Sequence, residues 1–161
     1  MREQKLEFTY ELYENISELN EEDRSLLEKA RAILDKAYAP YSHFHVGAVA
    51  LMENGKLVEG TNQENASYPV GICAERVLLG TAANLFPEVA IKTLAISYAG
   101  KDVVSDHPIS PCGMCRQALS EFEHRVGKPM RIILGGKEGN VYVIHSAGNL
   151  LPFAFTKSEL G

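Results

Sequence analysis

Cysteine is scarce in this chain of 161 residues, which contains three cysteines and carries a formal net charge of −5. Three cysteines cannot pair into a closed disulfide framework, so we expect free thiols, metal ligands or catalytic groups. No apolar run reaches the about 18 residues of a transmembrane helix, and the first residues lack the apolar core of a signal peptide. The acidic balance argues against a surface that follows nucleic-acid phosphates. We therefore expect a cytoplasmic protein that binds neither membrane nor nucleic acid, with small neutral molecules or proteins as partners.

The pattern of apolar residues predicts one α/β domain over residues 1–161, with residues 1–20 as an N-terminal extension. Alternation from Leu6 to Leu12 predicts a strand in that extension. Helices are predicted after Asn20, from Cys73 and from Cys112, and a short helix is expected to include SEL near the C-terminus. Strands are predicted in HVGAVALMENGKLVEGTN (a hairpin at Asn54-Gly55), KTLAISYAG, MRIILGG and NVYVIHS. Strands that alternate with helices favour a three-layer α/β/α sandwich, with a mixed five-stranded core sheet and room for the extra N-terminal strand.

All three cysteines lie where helices are predicted to begin. Cys73 opens one helix, and Cys112 and Cys115 fall in the first turn of another, directly after Pro111. Residues three apart share a helix face, and the partial positive charge of a helix N-terminus favours thiolate. Three thiolates brought together would occupy three corners of a zinc tetrahedron. No fourth protein ligand has suitable spacing, and an open fourth position is typical of a catalytic zinc site rather than a structural one.

Glu75 follows Cys73 by two residues and therefore points to a different side of the predicted helix. In that position it could reach the open side of the zinc site and the substrate as a general acid/base. A glutamate at a helix N-terminus also stabilises the helix by about 0.3–1 kcal/mol without any catalytic role. Beside three thiolates, the acid/base interpretation is favoured.

Five sequence blocks in the same order resemble the cytidine deaminase family, the small zinc enzymes that act on free nucleosides. The blocks are YAPYSHFHVGA, NQENASYP, GICAER, PCGMCRQ and LLPFAF. Zinc deaminases share an H-x-E signature followed by P-C-x-x-C, and a three-cysteine variant exists. Here the variant reads Cys73-Ala74-Glu75 and Pro111-Cys112-Gly113-Met114-Cys115. The resemblance extends from about Lys36 to the C-terminus and leaves the predicted N-terminal strand outside the minimal family pattern.

The resemblance implies one Zn²⁺ per chain, held by Cys73, Cys112 and Cys115, with Glu75 as the proton shuttle. The implied reaction hydrolyses a C–N bond of a cyclic amidine: cytidine or 2′-deoxycytidine yields uridine or 2′-deoxyuridine and ammonia, in pyrimidine salvage. Three thiolates leave the zinc site with an excess of negative charge. The resemblance implies that Arg76 donates hydrogen bonds to thiolate sulfur and so offsets part of that charge.

Four further residues are implied to contact the nucleoside. Asn62 and Glu64 are two apart at the end of a predicted strand, so their side chains face the same way, and the resemblance implies that they bind the ribose 3′-hydroxyl. Phe44 is implied to lie against the substrate. Phe155 is implied to cap the base from a neighbouring subunit of a homo-oligomer, with a tetramer favoured over a dimer. Phe153 departs from the family pattern, because a glycine is common at its position.

Other interpretations remain open from the sequence alone. A blasticidin-type deaminase or a tRNA adenosine deaminase belongs to the same superfamily, although the net charge, the Cys73 ligand and the Asn62/Glu64 pair argue against the tRNA substrate. A non-catalytic zinc module with three cysteines would usually close its site with a fourth protein ligand. The apolar tail from Leu150 to Phe155 could also dock within its own subunit.

Overall fold

A mixed sheet of six strands forms the middle layer of the computed structural model, which describes residues 1–160. In chain order the strands are β1 (Tyr10–Tyr13), β2 (Phe44–Met52), β3 (Leu57–Thr61), β4 (Ile91–Gly100), β5 (Arg131–Gly135) and β6 (Val141–Ile144). Their order across the sheet is β1-β6-β5-β4-β2-β3. Strands β4 and β5 are parallel, and the other neighbours are antiparallel. The predicted five-stranded mixed sheet with an additional N-terminal strand is confirmed. Of the predicted domain span, Gly161 lies outside the described residues.

Three α-helices cover the two faces of this sheet: α1 (Glu21–Ala32), α2 (Ala74–Leu85) and α3 (Gly113–Val126). Neighbouring residues of β2 point to opposite faces. Val49 packs into the core cluster that contains residues of α1, whereas Ala48 and Ala50 pack into the cluster that contains residues of α2 and α3. The predicted α/β/α arrangement is therefore confirmed. Within residues 1–160, no helix combines the length and apolar character that crossing a bilayer requires.

The two ends of the chain differ from the sequence prediction. The N-terminal strand begins at Tyr10 rather than at Leu6, because its partner β6 ends at Ile144, the residue paired with Tyr10. Leu6 and the residues around it have no strand to pair with and are exposed. Near the C-terminus, the predicted short helix is one 3-10 turn, Lys157–Glu159.

Candidate active site

Three sulfur atoms meet between the first turns of α2 and α3. Cys73 and Cys112 are the N-cap residues of the two helices, and Cys115 lies in the first turn of α3. The Sγ atom of Cys112 is 3.8 Å from that of Cys73 and 3.3 Å from that of Cys115, and all three lie within 4.8 Å of one another. Tetrahedral zinc with Zn–S bonds of about 2.3 Å separates two sulfurs by roughly 3.8 Å. The donor set therefore fits one zinc ion.

Each of these cysteine thiols affects the pKa of its neighbours. The nearby Cys115 thiol is the largest cause that lowers the pKa of Cys73, to about 6. The proximity of Cys73, followed by burial, raises the pKa of Cys115. Like charges in contact oppose one another's ionisation, so three thiolates at these distances require a compensating cation. The positive ends of α2 and α3 supply part of that compensation.

Glu75 lines a cavity of about 380 Å³ together with Cys73 and Cys112. It is the second residue of α2 and is 5% exposed. Burial is the largest cause that raises the pKa of its carboxyl group, because a desolvated carboxylate is less stable than the neutral acid. A carboxyl with a raised pKa exchanges protons more readily at neutral pH than an ordinary surface glutamate.

Strand β3 determines where α2 begins. A Cβ atom on Gly60 would lie 2.4 Å from the carbonyl oxygen of Ala74 and 2.6 Å from the amide nitrogen of Leu78. Only glycine permits this approach of strand to helix. The absence of a side chain at Gly60 therefore brings the start of α2, with Cys73 and Glu75, against the sheet.

The predicted substrate residues Phe44, Asn62 and Glu64 line the same cavity. Phe44, the first residue of β2, stacks on Tyr98 with ring centroids 5.5 Å apart and an interplanar angle of 23°. Asn62 accepts a hydrogen bond from the Val46 amide at 2.7 Å and donates one to the Phe44 carbonyl at 2.8 Å. A carboxamide has two donor hydrogens and two lone pairs. Asn62 is therefore held rigidly and keeps one donor and one acceptor for a ligand.

Glu64 holds the loop that precedes β2. Its carboxylate accepts hydrogen bonds from the amides of Tyr41, at 2.9 Å, and Ser42, at 3.3 Å, and from the Ser42 hydroxyl. The Ser42 hydroxyl contributes most to lowering the pKa of Glu64, so the carboxylate is the stable form. Sequence reasoning missed Ser42, which also lines the cavity. Its position inside the YAPYSHFHVGA block was the only available signal.

The remaining cavity wall is mostly apolar. It is formed by Val46, Ile96, Ile109 and Pro111, with the polar Ser110 between the last two. None of these residues was predicted, because an aliphatic side chain carries no chemical signature that separates a binding wall from a core. An apolar wall opposite polar groups suits a flat ring attached to a hydroxyl-bearing group.

Arg76 lies outside the cavity, on an exposed part of α2. It lines a separate surface groove together with Met114 and Gln117. Its charge contributes to lowering the pKa of Cys73. Among residues 1–160, no hydrogen bond joins the Arg76 side chain to a sulfur atom.

The C-terminal tail divides into a buried part and an exposed part. Leu150 is 8% exposed and belongs to the core on the side of α2 and α3, so this residue docks within its own subunit. Phe153 and Phe155 are 96% and 60% exposed, and neither lines the cavity of its own chain. Phe153 has φ of +59°. That left-handed conformation favours glycine, in agreement with the glycine that the family resemblance leads one to expect at this position.

A three-thiolate centre beside a buried glutamate, on an α/β/α sandwich, is the arrangement of the zinc-dependent deaminases. Residues 20–128 match the family model of the cytidine and deoxycytidylate deaminase zinc-binding region. The cytidine deaminase of Halalkalibacterium halodurans is 39% identical over 126 residues, which cover 77% of this chain and 86% of that protein. The chain belongs to the cytidine deaminase family.

Solved structures agree with this assignment. The crystal structure of cytidine deaminase from Burkholderia pseudomallei is 40% identical in sequence, with a TM-score of 0.71, and the match covers 85% of this chain and 100% of that one. Cytidine deaminase from Mycobacterium tuberculosis is 32% identical with a TM-score of 0.61, over 81% of this chain and 94% of that one. The expected cofactor, zinc, agrees with both the family model and the sulfur cluster.

Proposed function

We propose that this chain catalyses the hydrolytic deamination of free cytidine and 2′-deoxycytidine to uridine and 2′-deoxyuridine, with release of ammonia. One observation carries the proposal: sulfurs of the metal site, the buried Glu75 carboxyl and the Asn62/Glu64 pair line a single cavity of about 380 Å³. Cavities that bind small molecules typically measure about 300–1,000 Å³. The cavity therefore offers a reaction centre, an apolar wall and a hydroxyl-binding end within the space of one nucleoside.

The chain's residues divide the reaction between them. Cys73, Cys112 and Cys115 would hold a zinc ion, which would supply a water activated at neutral pH. Glu75 takes a proton from the attacking water and delivers it to N3 of the pyrimidine, and it then helps to protonate the departing amino group. Oxygen is gained at C4 and the C4–N bond breaks, so the products are uridine and ammonia. Arg76 lowers the negative charge of the sulfur centre.

The hydroxyl-binding end of the cavity recognises the sugar. Glu64 is ionised and anchored by the loop before β2, and Asn62 retains one free donor and one free acceptor. Together they bind the ribose 3′-hydroxyl, with the carboxylate as acceptor and the amide as a second partner. Phe44, supported by Tyr98, lies against the nucleoside and limits its movement.

The active form in this proposal is a homo-oligomer, with a tetramer favoured. The exposed Phe155, which does not reach the cavity of its own chain, caps the base in a neighbouring subunit. The chain acts as a single domain with residues 1–20 as an extension, binds one zinc ion, and works in pyrimidine salvage in the cytoplasm, where a reducing medium keeps its cysteines available as ligands.

The direct test measures zinc content and the absorbance change from cytidine to uridine in the wild type and in Glu75→Gln. We expect about one zinc per chain in both proteins and a loss of about 10²–10⁴-fold in kcat for the variant, the usual contribution of a general acid/base. The exposed residue Glu88 offers a matched control, Glu88→Gln, which should keep full activity. A Glu75→Gln rate within tenfold of wild type, or undiminished activity without zinc, would refute the mechanism.

The role of Phe155 has a separate test, in which inactive Glu75→Gln subunits exchange with subunits of a severely impaired Phe155 variant. If Phe155 completes the neighbouring site, some mixed sites combine an intact Glu75 with an intact Phe155, and part of the activity returns. If no activity returns after subunit exchange has been demonstrated by mass, Phe155 does not act across the interface.

A further inference from the structure

A second cavity lies behind the substrate cavity, on the other side of β2. Its volume is about 350 Å³, and its polar lining consists of Arg31, Asp35, His43, His45, Lys101 and Lys137. The residues come from four separated parts of the chain: α1 and the turn after it, the segment where β2 begins, the end of β4 with the residue after it, and the segment that follows β5. The cavity is therefore built by the fold and not by one basic stretch of sequence.

The alternation of β2 separates this cavity from the substrate site. Phe44 and Val46 line the substrate cavity, whereas His43 and His45 line the second one. Successive side chains of a strand point to opposite faces, so His45 faces away from Phe44 and Val46. His43 reaches the second cavity from the turn just before the strand, where its φ is +52°. A ligand in the second cavity would leave the substrate cavity open.

The charge in this cavity is opposite in sign to that of the whole chain. One arginine, two lysines and two histidines line the cavity beside a single carboxylate of the lining, Asp35, although the formal net charge of the chain is −5. Among the ion pairs formed by residues 1–160, none includes a side chain of this lining. The cations therefore have no carboxylate in contact and are available to an anionic ligand.

Arg31 is the cation of this lining whose side chain is hydrogen-bonded to the rest of the protein. Its Nε atom donates a hydrogen bond to the Gly136 carbonyl at 2.9 Å, which leaves the terminal nitrogens of the guanidinium free. Burial is the largest cause that lowers its pKa, and the more distant charges of Glu28 and Glu138 oppose that shift. A partly desolvated guanidinium without a carboxylate in contact gains more from an anion than a fully hydrated one does.

The histidine side of the cavity is also held in place. His43 has φ of +52°, and its carbonyl accepts a hydrogen bond from the Lys101 amide at 3.4 Å. The His45 ring is placed with Nδ1 at 3.2 Å from the Leu34 carbonyl. Because a carbonyl only accepts, Nδ1 carries the proton, and Nε2 donates to an anion only when the ring is also protonated there. The two histidines therefore add positive charge to the lining only as imidazolium ions.

We propose that this cavity binds a small anion with more than one phosphate group. Arginine and lysine are the usual partners of phosphate oxygens, the former through its planar fork and the latter as a point charge. The volume of about 350 Å³ falls in the range of about 300–1,000 Å³ typical of small-molecule sites. Its cationic side chains come from separate segments of the chain, an arrangement that suits two phosphate groups better than one. Inorganic pyrophosphate and the diphosphate of a nucleotide share this chemistry. The proposal does not depend on the reaction assigned to the other cavity.

The test is calorimetric titration of the zinc-loaded protein with inorganic pyrophosphate and, separately, with adenosine diphosphate. We expect saturable binding of one anion per chain, weaker at higher salt because the contacts are ionic. The double variant Lys101→Gln/Lys137→Gln should weaken it by about tenfold or more, as expected for the loss of charged hydrogen bonds. Equal affinities would show that the phosphates alone are recognised, and tighter binding of the diphosphate nucleotide would show that a nucleoside part is also bound.

A matched control is Lys56→Gln/Lys128→Gln, which removes the same two charges. Lys56 lies in the β2–β3 turn and Lys128 follows α3, and neither lines the cavity. The control should retain the wild-type affinity within about twofold, because distant surface charges are screened. Extraction of zinc by pyrophosphate would give the same heat in both double variants and is thereby separated from binding. No saturable heat up to about 5 mM, or equal weakening in both double variants, would overturn the proposal.

Discussion

Replacing Glu64 with glutamine is expected to lower kcat/KM for cytidine by about 10- to 140-fold. A carboxylate offers about four lone-pair sites, and three hydrogen bonds from the Tyr41 and Ser42 amides and the Ser42 hydroxyl occupy most of them. About one site remains for the sugar. One hydrogen bond to a charged group contributes about 1.5–3 kcal/mol, and each 1.4 kcal/mol corresponds to a factor of ten.

The assay compares cytidine with 2′,3′-dideoxycytidine, which lacks the hydroxyl that Glu64 is proposed to bind. The substitution should change kcat/KM little for the dideoxy substrate, because the 3′-hydroxyl that Glu64 is proposed to bind is already absent from it. A matched control is Glu59→Gln, since Glu59 is an exposed residue of β3 that pairs with Lys36 at 2.6 Å, outside the cavity. Equal losses for both substrates would show that Glu64 only anchors the loop before β2, and would refute its role in sugar binding.

Two substitutions of glycine and one to glycine test the surrounding structure. Gly60→Ala should reduce both zinc content and activity, because its methyl group would lie 2.4 Å from the Ala74 carbonyl oxygen and displace α2. Gly80→Ala, in the same helix but with nothing within 4 Å of the added methyl, should retain zinc and gain up to about 1 kcal/mol in the free energy of unfolding; equal zinc content in the two variants would contradict the packing argument. Phe153→Gly should raise the free energy of unfolding by about 1 kcal/mol, because a left-handed conformation costs an ordinary residue about that much and the exposed ring contributes little packing. An unchanged denaturation midpoint would show that Phe153 is not strained.

The sulfur cluster could be predicted from the sequence because its information is local. Cys112 and Cys115 are three apart, and all three cysteines sit at helix starts recognisable from the apolar pattern that follows them. The layers of the fold could be predicted for the same reason, because the alternation of a strand and the apolar spacing of a helix are visible within a few residues. The proximity of the two helix starts is not local information, and its prediction required either the fold or the family resemblance.

What the sequence did not reveal depends on contacts between distant segments. Ser42 contacts Glu64 because the backbone of Tyr38 pairs with that of Asn62 and Glu64, a pairing that no periodicity encodes. The orientation of Arg76 depends on how α2 is rotated against α3, so its distance from the sulfurs could not be read from its place after Glu75. The length of β1 is limited by its partner β6. The alternating pattern alone predicted a strand that begins at Leu6, before the first residue that β6 can pair with.

Residues at the start of β2 line both the substrate cavity and the second cavity. Insertions and deletions in this strand are therefore tolerated less well than substitutions. A shift of one residue in this strand would turn His43 and His45 toward the substrate and Phe44 away from it, because side chains alternate between the faces. Gly47 opposes such a shift: a Cβ at its position would lie 2.2 Å from the Ala30 carbonyl oxygen, so a neighbouring residue cannot take its place. Length changes between α1 and β2 must therefore be absorbed before Tyr38, because the backbone of Tyr38 pairs with that of Asn62 and Glu64 and the Tyr41 amide holds the Glu64 carboxylate. One residue added between positions 44 and 47 should yield no active enzyme.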